Sequence, residues 1–178
     1  MPIRLLPKLV LPLALLLAVP LAQAELRDAG PGGFTTRHVV DLAVPPAELY
    51  RVLVEEVSQW WDPAHSWSGD AANLYIEAKP GGCFCERLAD GGWVEHLHIV
   101  YLAPGKEIRL QGALGPLQQM GLQGAMSWLI EPIENGSRLS FTYIVHGYQE
   151  DGFKALGPGV DSVIGAQLQR LAARLGSG

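Results

Sequence analysis

Between Phe34 and Val44 the chain reads FTTRHVVDLAV, an apolar and polar pattern that predicts a β-strand. Directly after it, PPAELYRVLVEEVSQWW places Leu49, Leu53 and Val57 at helical spacing behind Pro45-Pro46, the signature of a helix entered through proline. The stretch DPAHSWSGDAAN then reads as a loop or a short helical turn. Five runs of strand character follow: NLYIEAK, CFCERLA, WVEHLHIVYLA, KEIRLQGAL and LQGAMSWLIEPI. A sixth, RLSFTYIVHGY, comes after Glu134-Asn135-Gly136, while Asp90-Gly91 and Pro104-Gly105 mark two other turns. Finally, VDSVIGAQLQRLAARL aligns Val160, Ile164, Leu168, Leu171 and Leu175 in one stripe, a second amphipathic helix. The order is strand, helix, six strands, helix, with no repeat, low-complexity segment or linker.

Short strands joined by tight turns make an antiparallel meander, and its apolar face needs a cover. The C-terminal helix supplies one, so the expected class is α+β. The chain resembles the SRPBCC (START-like, helix-grip) superfamily, in the branch related to activator of Hsp90 ATPase homologues and polyketide cyclases. The resemblance is carried by VPPAELYRVLVEEVSQWW, KPGGCFCERL with its "PGG" strand entry, VEHLHIVYLAPGKEIRL and GSRLSFTY, in that order. It implies a six- to seven-stranded twisted antiparallel sheet wrapped around a long C-terminal helix, a short helix after the first strand, and an apolar cavity between sheet and helix. It does not choose among binder, cyclase, hydrolase and chaperone-contact roles, since fold and function are separable.

The first residues alter the setting. MPIRLLPKLVLPLALLLAVPLAQA puts Arg4 and Lys8 before an apolar run from Leu9 to Leu21, then Ala22-Gln23-Ala24, a small-x-small cleavage signal. This predicts a secretory signal peptide over 1–24, cleaved after Ala24, and one domain over 25–178 in the periplasm or medium. The apolar run is short and broken by proline, so no stable membrane insertion is expected. The 178-residue chain carries 13 basic and 18 acidic residues. Losing Arg4 and Lys8 leaves 154 residues with 11 basic against 18 acidic, a net charge of −7. That length can bury a core unaided, and the acidity argues against nucleic acid as a partner. An exported chain also meets no cytosolic Hsp90.

The chemistry-bearing residues concentrate in GGCFCERLADGGWVEHLH, residues 81–98. A two-residue Asp90-Gly91 turn would set Cys85 opposite His96, Cys83 opposite His98, and Glu86 opposite Glu95. Cys83, Cys85, His96 and His98 would then share a face, with donor types suited to zinc or copper. The geometry opposes a metal, because side chains along a strand diverge while tetrahedral ligands converge. The two cysteines have only each other as intrachain partners. In an extended strand their Cα atoms lie about 6.5–7 Å apart, at the edge of disulfide geometry. A reducible pair, two buried thiols and metal ligation all remain open, and a disulfide framework is excluded as the source of stability.

The other face, with Phe84, Glu86, Leu88, Trp93, Glu95, Leu97, Ile99 and Tyr101, is the more apolar and is expected to meet the helix. The Cys/His face would then be outer, a surface for a homodimer. The expected cavity residues are Trp61, Phe84, Glu86, Trp93, Glu95, Leu97, Ile99, Trp128, Phe141 and Tyr143. Gly112 to Gly124, GALGPLQQMGLQG, is the expected lid. Two facing carboxylates, Glu86 and Glu95, cannot both ionise cheaply in an apolar cavity, and one could serve as general acid or base. No P-loop, GxSxG, HExxH or GxGxxG followed by a helix is present. The reading is an exported protein that binds a small apolar or amphipathic ligand and needs no cofactor. Its rivals are a cyclase- or hydrolase-like enzyme on a lipid- or polyketide-like substrate, and a protein-interaction module.

Overall fold

The computed structural model describes residues 23–176. Of the expected signal peptide, all but Gln23 and Ala24 lies outside the described residues. The strands are β1 (Gln23–Ala29), β2 (Gly33–Leu42), β3 (Leu74–Ile76), β4 (Cys83–Arg87), β5 (Trp93–Ala103), β6 (Glu107–Gly112), β7 (Gln123–Ile133) and β8 (Gly136–His146). The helices are α1 (Pro46–Glu55), α2 (Val57–Trp60) and α3 (Leu156–Gly176), with short 3-10 turns between. All eight strands form one antiparallel sheet in the order β1-β2-β8-β7-β6-β5-β4-β3. The chain is therefore α+β, with the long C-terminal helix that the pattern implies.

Two elements differ from the sequence reading. The strand β1 was not expected, because QAELRDA has neither alternation nor β-branched residues. It is held by pairing with β2, from Gln23 opposite Val39 to Ala29 opposite Phe34. The single helix expected over residues 45–61 is two, since Glu56 leaves the helical region at φ −116° and ψ 25°. Glu56 is pinned there by ion pairs to Arg51 and Arg174.

The sheet carries its core on one face. From β8, Leu139, Phe141, Tyr143 and Val145 are buried, and β7 adds Met126, Trp128 and Ile130. α1 and α2 cover β3, β7 and β8, while α3 lies on β2 and β1. Ile164, Leu168 and Leu171 of the α3 stripe are buried, with Val160 and Leu175 at its margins. Polar bonds fix the helix: Gln167 accepts from the Asp62 N–H at 2.7 Å, and the Arg170 Nε donates to the Trp60 carbonyl at 3.1 Å. On β2, buried Thr36 and His38 bond Asp161 of α3, His38 Nε2 lying 2.9 Å from the carboxylate. Gly165 lets the helix approach this imidazole, as a Cβ there would sit 3.1 Å from His38 Cε1.

Candidate functional site

The hairpin β4–β5 decides what the site contains. Its connection is a three-residue loop, Ala89–Gly91, closed by the Leu88 N–H to Gly92 carbonyl bond at 2.8 Å. Asp90 takes φ 58° and Gly91 φ 78°, values that aspartate and glycine tolerate best. Arg87 therefore faces Trp93, Glu86 faces Val94 and Cys85 faces Glu95. The register is then shifted by one residue, so that Phe84 faces Leu97 and Cys83 faces His98. The extra residue on β5 is His96, and a bulge of this kind re-aims side chains. A second irregularity, between Ile99 and Tyr101, lies opposite β6.

These two bulges correct the expected facing. Phe84, Leu97 and Ile99, which lie between them or opposite, are buried as expected, and so is Glu86, which faces Val94 ahead of the first bulge. Trp93 and Glu95 precede the first bulge and are turned out, Trp93 at 64% exposure. Tyr101 follows the second and is also exposed. The facing carboxylate pair of Glu86 and Glu95 does not exist, and a general acid or base built on it is lost. His96 goes inward instead, to bond Glu86.

The four Cys/His residues do not converge. Cys83 and Cys85 are joined in a disulfide with Cα atoms 5.4 Å apart, closer than an ideal strand provides. The shift in pairing with β5 falls between Phe84 and Cys85, inside the bridged segment, and a bulge increases local twist. Both cysteines are buried, so the Cys/His face is not the open outer surface expected. Their sulfurs and a Glu95 carboxylate oxygen lie within 4.8 Å of one another, but bonded sulfurs offer no thiolate. His98 is exposed beside Glu95 at 3.6 Å.

A cavity of about 500 Å³ opens between sheet and α3. Leu156, Gly159, Val160, Val163 and Ile164 of the helix form one wall, and Trp61 with Ala64 to Trp67 of the loop after α2 another. Leu114 to Leu117 close a third side, the part of the expected lid that meets the cavity. Tyr143 anchors this loop: its hydroxyl accepts from the Leu114 N–H at 3.1 Å. Burial pushes that hydroxyl's pKa up to about 12, so it remains a neutral phenol. Phe84 and His96 reach the cavity from the sheet. Of the expected cavity residues, Trp61 and Phe84 line it. Leu97, Ile99, Trp128, Phe141 and Tyr143 are core residues outside its wall.

Behind the wall lies a buried acid–imidazole pair. Glu86 Oε2 accepts from the Trp67 N–H at 3.0 Å, and Oε1 accepts from the Ser68 N–H at 2.5 Å. His96 Nε2 lies 3.0 Å from Oε2. Burial acts to raise the Glu86 pKa, but the bonds from Ser68, the Trp67 N–H and His96 outweigh it and hold the carboxyl below its usual 4.5. Glu86 is thus an ionised acceptor, and His96 Nε2 must be the donor. Burial pushes the His96 pKa down more than Glu86 pulls it up. The imidazole is neutral, and its Nδ1 is an acceptor with no bonding partner.

No protein-family model matches the sequence, and no curated protein matches it. Solved structures do match in fold. A Chromobacterium violaceum protein is 20% identical with a TM-score of 0.54, over 79% of this chain and 96% of that one. An uncharacterised Rhizobium leguminosarum protein is 18% identical with a TM-score of 0.54, over 90% of this chain and 100% of its own. An Enterococcus faecalis protein of unknown function is 14% identical with a TM-score of 0.58, over 85% of this chain and 74% of that one. The likeness is one of architecture, an antiparallel sheet with a C-terminal helix, compatible with a helix-grip ligand-binding fold.

The inward His96 is what sequence reasoning missed. The signal was present in Ala89-Asp90-Gly91, because a three-residue loop ending in a left-handed glycine is the next most common hairpin connection after the two-residue turn. The loop length alone changes which residues face each other.

Proposed function

We propose that the chain is an exported helix-grip protein of the SRPBCC type that holds one small, mainly apolar molecule between its sheet and C-terminal helix. The observation that carries this reading is the cavity of about 500 Å³, walled by Leu114, Leu117, Leu156, Val160, Val163, Ile164, Trp61 and Phe84. Pockets of this size with few polar groups are where drug-sized ligands bury most of their surface. Export rests on residues 1–24, with cleavage after Ala24 leaving Glu25–Ala29 as the part of β1 retained. Among the described residues no helix is long and apolar enough to cross a membrane, and no basic stripe accompanies the acidic composition.

The test is expression with the native leader in a Gram-negative host, fractionation, N-terminal sequencing and native mass spectrometry. We expect a periplasmic species beginning at Glu25 that retains one small molecule per chain. A protein kept in the cytoplasm with Met1 intact would overturn the export reading.

A further inference from the structure

We propose that Cys83, Cys85, Glu95 and His98 form a zinc site that opens when a thiol reductant cleaves the Cys83–Cys85 disulfide. The cysteines alternate with Phe84 along β4, so they point away from the cavity, to the other face of the sheet. The β5 bulge assembles the site. Glu95 and His98 are three residues apart, and in an uninterrupted strand they would point to opposite faces. The residue added at His96 sets Glu95 opposite Cys85 and His98 opposite Cys83, which brings all four to one face. Residues opposite each other in an antiparallel pair have Cβ atoms about 4.5–5.5 Å apart. Both sulfurs and a Glu95 carboxylate oxygen lie within 4.8 Å of one another, and His98 Nδ1 lies 3.6 Å from Glu95 Oε1. The donors come from two strands, so they escape the divergence of ligands spaced along one.

A disulfide across one intervening residue closes a minimal loop and constrains the unfolded chain little, so this pair is a poor staple. Reduced, it is a chelate. Two thiols supply two electrons and two protons, converting the disulfide into a dithiol and leaving as a disulfide themselves. Zn²⁺ then displaces both protons and takes two Zn–S bonds. A two-electron oxidant reverses the sequence: the S–S bond forms again and Zn²⁺ leaves. Arg87 adds a cation on this face, 4.4 Å from the centre of the Tyr75 ring, which stands opposite Cys85, and a cation near a thiol favours the thiolate. Tetrahedral zinc sets its N, O and S ligand atoms about 3.3–3.8 Å apart. Side-chain rotation brings these donors to that spacing, with the sulfurs parting and the carboxylate closing in. The sulfurs are buried, whereas the Glu95 and His98 side chains are 43% and 49% exposed, so the cation enters between these two. Thiolate, imidazole and carboxylate together suit Zn²⁺, while Cu⁺ takes thiolates and gains little from a carboxylate oxygen.

The test reduces the purified protein with a phosphine, removes the reductant without air and titrates with Co²⁺, a spectroscopic stand-in for Zn²⁺. The reading is the thiolate-to-cobalt charge-transfer band. We expect one Co²⁺ per reduced chain, displaced by one equivalent of Zn²⁺, and no such binding by the oxidised protein. Glu95→Gln and His98→Ala change exposed side chains, and each should weaken binding about tenfold. Adding oxidised glutathione to the loaded protein should release the metal as the disulfide forms again. Absence of the band in the reduced protein, equal affinity of the reduced and oxidised proteins, or unchanged affinity in either variant would overturn the proposal. Circular dichroism follows the fold throughout, and a chain that unfolds on reduction would overturn it as well.

Discussion

At the scale of single residues, the pair Glu86–His96 ties stability to pH. A carboxyl whose folded pKa is depressed contributes stability above its unfolded value, and loses it as pH falls through the folded value. For Glu86 that loss begins near 4.5 and continues below it. His96 acts earlier and in the same direction. Its folded pKa lies below 6.5, so as pH falls past 6.5 the unfolded chain takes up a proton that the folded one refuses. This single group can remove at most about 1.4 kcal/mol of stability per pH unit. Urea denaturation at successive pH values should therefore show wild type losing stability between about pH 6.5 and 5, and His96→Leu losing less over that interval. Both should retain the limb below 4.5, because Glu86 keeps its backbone donors. Parallel curves for the two proteins would show that His96 is not held neutral. Glu86 was legible in the sequence as an inward carboxylate, but its partner was not. Its bonds come from Trp67 and Ser68, nineteen and eighteen residues away in a loop with no periodic pattern.

At the scale of elements, strand existence and strand facing separate cleanly. The length of β5 is that of the WVEHLHIVYLA run, and β8 alternates Leu139, Phe141, Tyr143 and Val145 inward without interruption. What an alternation pattern does not carry is the bulge, since one added residue inverts every facing beyond it. Trp93, Glu95 and Tyr101 are apolar or acidic residues that the pattern would bury and the two bulges expose. The His96 bulge is itself supported from β6. Gly112 adopts φ 141°, and a Cβ there would lie 2.6 Å from the His96 carbonyl oxygen and 3.1 Å from Leu97 Cα. Both are backbone atoms, so the neighbour cannot rotate away. Gly112→Ala should cost about 3 kcal/mol in urea denaturation. A cost below about 0.5 kcal/mol would mean that β6 does not constrain the bulge.

At the scale of the whole molecule, the α+β class and the covering helix follow from the strand runs and the Val160 to Leu175 stripe. The cavity's true wall was only partly legible. Its lining comes from one end of α3 and from two loops, and loops carry no period from which facing can be read. The lid segment was recognisable by composition, whereas Trp128, Phe141 and Tyr143 look like cavity residues by size yet are packed within the core. Gly159 offers a clean probe of the space. It lies in α3 and lines the cavity, and an added Cβ meets no atom within 4 Å. The Cβ of Gly159→Leu therefore enters open space, and replacing a helical glycine adds up to about 1 kcal/mol to stability. Thermal unfolding should show this variant at least as stable as wild type, and a lower midpoint would mean the site is already filled.

The central claim, that this cavity takes a small apolar molecule, is tested most directly by titrating N-phenyl-1-naphthylamine, a neutral fluorogenic probe, into wild type and Gly159→Leu. Excitation of tryptophan should sensitise the bound probe, since Trp61 and Trp67 stand in the wall. One saturable site per wild-type chain is expected, with at least tenfold weaker binding to a fully folded Gly159→Leu. Equal binding by the two proteins, or none by wild type, would contradict it.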